Sequence, residues 1–137
     1  MIIYEPEKAF QRIKAELPIA AVLLTLATIL GGVDIPRLIF DRAVKPRRRW
    51  SDQGEIEEVS LDSNVIEGFE QVDEAIGYLC AAGIVNLESR GGYEILSLMP
   101  RLHQFLEQEV KDDAEVRVRA LMLVCHSFPA DKDLEPL

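Results

Sequence analysis

The residues with most scope for chemistry in this chain are His103 and His126, Cys80 and Cys125, and the acidic neighbours Glu57-Glu58 and Asp73-Glu74. An imidazole can move protons or ligate a metal, a thiolate can attack or ligate, and paired carboxylates can divide acid and base roles. Their surroundings argue against each. Neither histidine is assigned a metal-like partner at i+3 or i+4, so both read as satisfied or solvent-facing rings. Tyr78-Leu79-Cys80-Ala81 and Leu123-Val124-Cys125-His126 are apolar helical settings, which predict buried free thiols. Adjacent acids are ordinary on a solvated face. No Gly-x-x-x-x-Gly-Lys-Ser/Thr phosphate loop, Gly-x-Ser-x-Gly elbow, His-Glu-x-x-His or paired Cys-x-x-Cys motif occurs. The expectation is a non-enzymatic chain with no catalytic residues, no metal and no cofactor of its own.

Arg47-Arg48-Arg49-Trp50 is the one nucleic-acid-like cluster, basic with an aromatic neighbour. It belongs to a segment of opposed charge. Residues 37–49 hold six basic side chains against Asp41, and residues 51–74 hold nine acidic ones and no basic one. Such neighbours can satisfy one another across a loop, so a solvated basic contact loop is preferred to a groove reader. The net charge of −9 also repels phosphate backbones and anionic membranes. Leu17 to Val33 is uncharged but short, and Pro18 and Gly31-Gly32 punctuate it, so it reads as a core helix rather than a membrane span. With no apolar leader in the first sixteen residues, a cytoplasmic location is expected.

The elements that must position these residues follow from hydrophobic period. At 137 residues and 48% hydrophobic content, one domain with a real core is expected. Ala9, Phe10, Ile13 and Leu17 mark a lead-in helix within 1–17. Pro18 opens a second helix through Val22, Leu23, Leu26, Ile29 and Leu30, stopped by Gly31-Gly32. Asp34 is predicted to cap a third helix over Ile35 to Ala43. Val44 to Ser63 has no clean period over most of its length and reads as an insertion or mobile loop. A fourth helix is predicted from Val65 to Ala82 on the stripe Phe69, Val72, Ile76 and Leu79, with Gly83 as its left-handed cap. Ile84 to Glu88 and Tyr93 to Leu98 read as two strands joined by Ser89-Arg90-Gly91-Gly92, whose glycines supply the positive φ of a tight hairpin. Pro100 starts a helix carrying Leu102, Phe105, Leu106 and Val110. A last helix runs from Asp113 to Ser127, before a loose tail from Ala130. This order predicts an α+β, mostly α fold: a winged helix-turn-helix over 18–112 with a two-stranded wing, flanked by the lead-in helix and by a C-terminal helix and tail over 113–137.

Several pieces, in order, resemble the winged-helix segment of fungal-type NLR (STAND) proteins. They are Phe10-x-x-Ile13, Pro18-x-Ala20-Ala21-x-Leu23-Leu24-x-Leu26, Ile35-Pro36-x-Leu38-Ile39, Phe69 before Ala75-Ile76-x-x-Leu79, the hairpin, and Met99-Pro100-Arg101-Leu102-His103-Gln104. Ala120-Leu121 and Phe128-Pro129 resemble the helical piece that leads into repeats there. The resemblance implies a non-catalytic regulatory module for innate-immune signal transduction. Its partners would be a neighbouring NB-ARC or NACHT nucleotide-binding domain, which holds ADP or ATP, and tetratricopeptide repeats. The family's motif reads Met-His-x-Leu-Val-Gln, and its histidine contacts the β-phosphate of ADP. Met99, Pro100 and Arg101 fall at the sensor positions. Pro100 offers a phosphate neither a ring nitrogen nor an N–H, and it also suits a helix's first turn, so loss of sensing and plain helix initiation both stand. The rival is a free-standing winged-helix transcription regulator or protein-interaction module. In the DNA-bound version of that rival, the helix before the hairpin would be the reader, yet its outer face carries Glu67, Glu70, Gln71, Asp73 and Glu74.

Overall fold

The computed structural model describes residues 5–128. The predicted tail from Ala130 lies outside them. Helix accounts for 54% and strand for 18%, the strands forming small antiparallel sheets, which makes the fold α+β. Helix α1 is Pro6–Glu16 and α2 is Pro18–Ile29, each opened by a proline whose missing N–H costs nothing in a first turn. Helix α2 is the centre of the molecule. Ile19, Ala20, Ala21, Leu23, Leu24, Leu26, Ala27 and Thr28 are all buried, so it has almost no polar face to give to solvent. The Thr28 hydroxyl is satisfied within the helix, donating to the Leu24 carbonyl at 2.8 Å.

The predicted third helix is corrected at its start. Asp34 adopts φ +52° and does not cap a helix; Ile35–Pro36 forms a short strand, β1, and α3 covers only Leu38–Ala43. Pro36 fits because β1 is an edge strand, where an absent N–H breaks no ladder. In the segment read as an insertion or mobile loop, the loop is corrected to a hairpin: β2, Arg47–Trp50, pairs antiparallel with β3, Ile56–Val59. The predicted Val65 to Ala82 helix is shorter than its apolar stripe. Gly68, at φ +84°, leads into a single 3-10 turn at Phe69–Gln71, and α4 spans Val72–Ala81. Phe69, Val72, Ile76 and Leu79 are nevertheless buried, as the stripe required.

Strands β4, Val85–Arg90, and β5, Tyr93–Leu98, meet at a two-residue turn, so Ser89 and Arg90 belong to the ladder and not, as expected, to the connection. Gly91 and Gly92 take φ +57° and +86°, the pair of positive values that a tight hairpin of right-handed twist needs. The sheet is three-stranded rather than the expected two, in the order β1-β5-β4, with Ile35 opposite Leu96 and Pro36 opposite Ile95. Helix α5, Pro100–Val110, follows β5 directly, and α6, Ala114–Ser127, is capped by Asp113, whose carboxylate accepts from the Val116 N–H at 3.1 Å. One hydrophobic core runs from Phe10 and Ile13 of α1 to Ala120 and Leu123 of α6. The flanking helices therefore share the core of the segment between them. Among the described residues no helix is long and apolar enough to cross a membrane.

Candidate functional site

Met99 is the residue before α5, and its backbone is held on both sides. Its N–H donates to the Ile84 carbonyl at 2.9 Å, and its own carbonyl accepts from the His103 N–H at 3.0 Å. Pro100 occupies the first helical position and Arg101 the next, and both are exposed. A side chain at position 100 therefore faces outward from the end of the sheet. The pyrrolidine ring offers no donor there.

Behind this corner, the turn after α2 closes on α5. Leu98 N–H donates to the Gly32 carbonyl at 2.8 Å, and the His103 ring lies over Gly32. A Cβ at Gly32 would meet His103 Nε2 at 2.4 Å, so glycine is required by contact as well as by its φ of +74°. Contrary to the expectation of no partner at i+3 or i+4, His103 has an acidic neighbour. Glu107, at i+4, places Oε1 2.9 Å from Nε2, an ion-pair distance without hydrogen-bond alignment. Among the described residues no group of three metal-ligating side chains converges.

Arg37 joins the helices to the sheet. Its guanidinium bonds Asp73 of α4, and it lies 3.5 Å from Glu94 of β5 and 3.8 Å from Asp41 of α3. Only 17% of the Arg37 side chain is exposed. Burial pushes the Asp41 carboxyl above its ordinary range, against the pull of Arg37. Arg37 was counted in the sequence only as one of a basic run. On the hairpin, Arg90 pairs with Glu88 and Asp34, each at 3.0 Å. Glu67, Glu70, Gln71, Asp73 and Glu74 are exposed, so the surface around α4 is acidic.

Arg47, Arg48, Arg49 and Trp50 are not a loop but strand β2, remote from this corner in the topology and packed chiefly on β3. The expected neutralisation takes the form of a ladder: Arg48 stands opposite Glu58, and Arg49 Nε lies 2.6 Å from Glu57 Oε1. The structure does not bring the Arg47–Trp50 and Met99–Arg101 groups into one site.

The cysteines also differ from expectation. Both are free, but Cys80 is half-buried and Cys125 is exposed. Helix α6 is apolar on two faces. One face, with Ala120 and Leu123, enters the core; the other shows Val118, Leu121 and Met122 to solvent, together with Cys125. His126 is buried, as one of the two readings allowed, and its Nε2 lies 2.7 Å from the Lys45 carbonyl. A carbonyl can only accept, so this nitrogen carries the proton. A cleft of about 660 Å³ opens where the C-terminal ends of α2 and α5 meet the middle of α6, lined by Ile29, Leu30, Val110, Leu121 and Val124 together with Lys111 and Arg117.

Comparison with protein-family models, with curated proteins and with solved structures finds no match for this chain.

Proposed function

We propose that the chain is a non-catalytic winged-helix module of an NLR-type switch protein, coupling the nucleotide state of a neighbouring domain to partner-binding repeats. The observation that carries this reading is the thread α2, β1, α3, α4, β4, β5 with sheet order β1-β5-β4. This succession of helix, strand, helix, helix, strand and strand supports a winged helix-turn-helix, with β2 and β3 as an insertion between its second and third helices. Helix α5 then leaves the wing with Met99, Pro100 and Arg101 at its first exposed turn, where a neighbouring domain can reach them. The solvent-facing stripe of α6 and the cleft beside it give a following helical repeat an apolar surface to stack on.

The acidic face of α4 favours protein partners over nucleic acid, because each phosphate would meet like charge where a reading helix normally supplies cations. Calorimetry tests the switch reading in two arms. The 137-residue chain binds neither ADP nor ATP, since the phosphate-cradling loop belongs to the neighbouring domain. In the protein that contains both domains, Pro100→His tightens ADP retention roughly tenfold, the effect of one restored charge-assisted hydrogen bond. Unchanged ADP affinity in that variant would mean position 100 does not face the nucleotide, and submillimolar ADP binding by this chain alone would overturn the module reading.

A further inference from the structure

We propose that the outer face of the β2–β3 hairpin is a self-association surface, on which a second copy of this chain packs face to face about a two-fold axis parallel to the strands. This goes beyond the switch reading and does not depend on it.

The register defines two faces. Side chains alternate along a strand, and directly paired residues share a face. Arg47, Arg49, Glu57 and Val59 therefore lie on one side, and Arg48, Trp50, Ile56 and Glu58 on the other. All four residues on the first side are partly buried, and Arg47 Nε is inaccessible to solvent, so this is the more covered side of the hairpin. The second side is the more open one: Trp50 and Ile56 are each 52% exposed, Glu58 is exposed as well, and Arg48 is partly buried. A large aromatic opposite an aliphatic residue is a pair that usually stabilises a sheet by covering apolar surface, yet here that surface stays in water. A two-stranded hairpin is marginal by itself, so a covering partner would add to its stability as well as gain affinity.

Charge complementarity selects a second copy as the occupant. Arg48 faces Glu58 across the hairpin, and Trp50 faces Ile56. A two-fold axis along the strands lays β2 of one copy over β3 of the other. Trp50 then covers Ile56 of the partner copy, and Arg48 meets Glu58 of the partner copy, each contact occurring twice. An axis parallel to the strands but shifted onto β2 or β3 would set arginine against arginine or glutamate against glutamate, and an axis across the strands would set each charge against Trp50 or Ile56 of the other copy. A face of this size lies below the ~1,200 Å² of standard complexes, so the association is weak, concentration-dependent and favoured by low salt.

Sedimentation velocity on the whole chain, with the fluorescence of its single tryptophan, tests the proposal. A reversible dimer should form with rising concentration, and Trp50 emission should shift to the blue as it forms. Arg48→Glu and Glu58→Arg should each weaken dimerisation about tenfold or more, because each sets like charges across the interface twice. An equimolar mixture of the two variants should recover it, since each copy then supplies the charge the other lacks; loss of folding cannot produce that recovery. A chain that stays monomeric, a dimer indifferent to both reversals, or a mixture that fails to recover would each overturn the proposal.

Discussion

Replacing Gly32 with alanine should destabilise the protein through two separable causes. The first is conformational: at φ +74° an L-residue suffers close contact of its Cβ with the following backbone, at roughly 1–2 kcal/mol. The second is the His103 ring, 2.4 Å from the new methyl group at Nε2. That ring has little room to swing away, with 17% of its side chain exposed and Glu107 beside it. Forcing a group into a filled site costs roughly 1–3 kcal/mol, so the total loss should be about 2–5 kcal/mol. Urea unfolding followed by far-ultraviolet circular dichroism measures it. The separation comes from a double-mutant cycle with His103→Ala, which removes the ring and leaves the backbone cause intact. Gly32→Ala should then cost only about 1–2 kcal/mol in the ringless background. A coupling within about 0.5 kcal/mol of zero would refute the contact argument.

Leu26→Ala should cost roughly 2–5 kcal/mol in the same assay, since Leu26 is 1% exposed on the most buried helix; a loss below about 1 kcal/mol would show that α2 is not the core's centre. Asp41→Asn should raise the urea midpoint at pH 7. The folded Asp41 pKa is raised above its ordinary 3.8 by burial, so the folded state binds the extra proton, and stability falls as pH rises from 3.8 through the folded pKa. The variant should lose that component of the pH dependence, and an unchanged profile would contradict it. Fluorescence anisotropy with mixed-sequence duplex DNA at physiological salt should show no binding; micromolar affinity abolished by replacing Arg47, Arg48 and Arg49 with alanine would reverse the reading of β2.

Elements held by an apolar face could be read from the sequence: α1, α2, α5 and α6, the buried stripe of α4, and the β4–β5 turn forced by Gly91-Gly92. Elements held by something else could not. Strand β1 is two residues long, and Pro36, which suggests a helix's first turn, is equally at home on a sheet edge; only pairing with Ile95 and Leu96, some sixty residues away, decides between them. The β2–β3 hairpin has no apolar alternation, because charged pairs across the ladder take the place of a hydrophobic face. The α4 stripe was right while the helix length was wrong, since Phe69 keeps its inward position from a 3-10 turn after Gly68. At the candidate corner, the motif positions were legible, but Arg37 as a three-carboxylate hub and the Gly32–His103 contact depend on chain crossings that no local pattern encodes. Cys125 misled because α6 is apolar on two faces, and period alone does not say which of them meets the core.

The last turn of α6 is fastened to α3 by polar bonds rather than by packing alone. Arg42 donates to the Ser127 carbonyl at 2.9 Å, the Ser127 hydroxyl donates to the Ile39 carbonyl at 2.9 Å, and His126 bonds the Lys45 carbonyl just beyond α3. Arg42 also lies over the Phe128 ring at 5.6 Å. Hydrogen bonds are stiff along their axis and fail abruptly, unlike apolar contacts, which slide. The C-terminal end of α6 is thereby tied to α3 by directional bonds, and Arg37, just before α3, carries the connection on to Asp73 of α4 and Glu94 of the sheet.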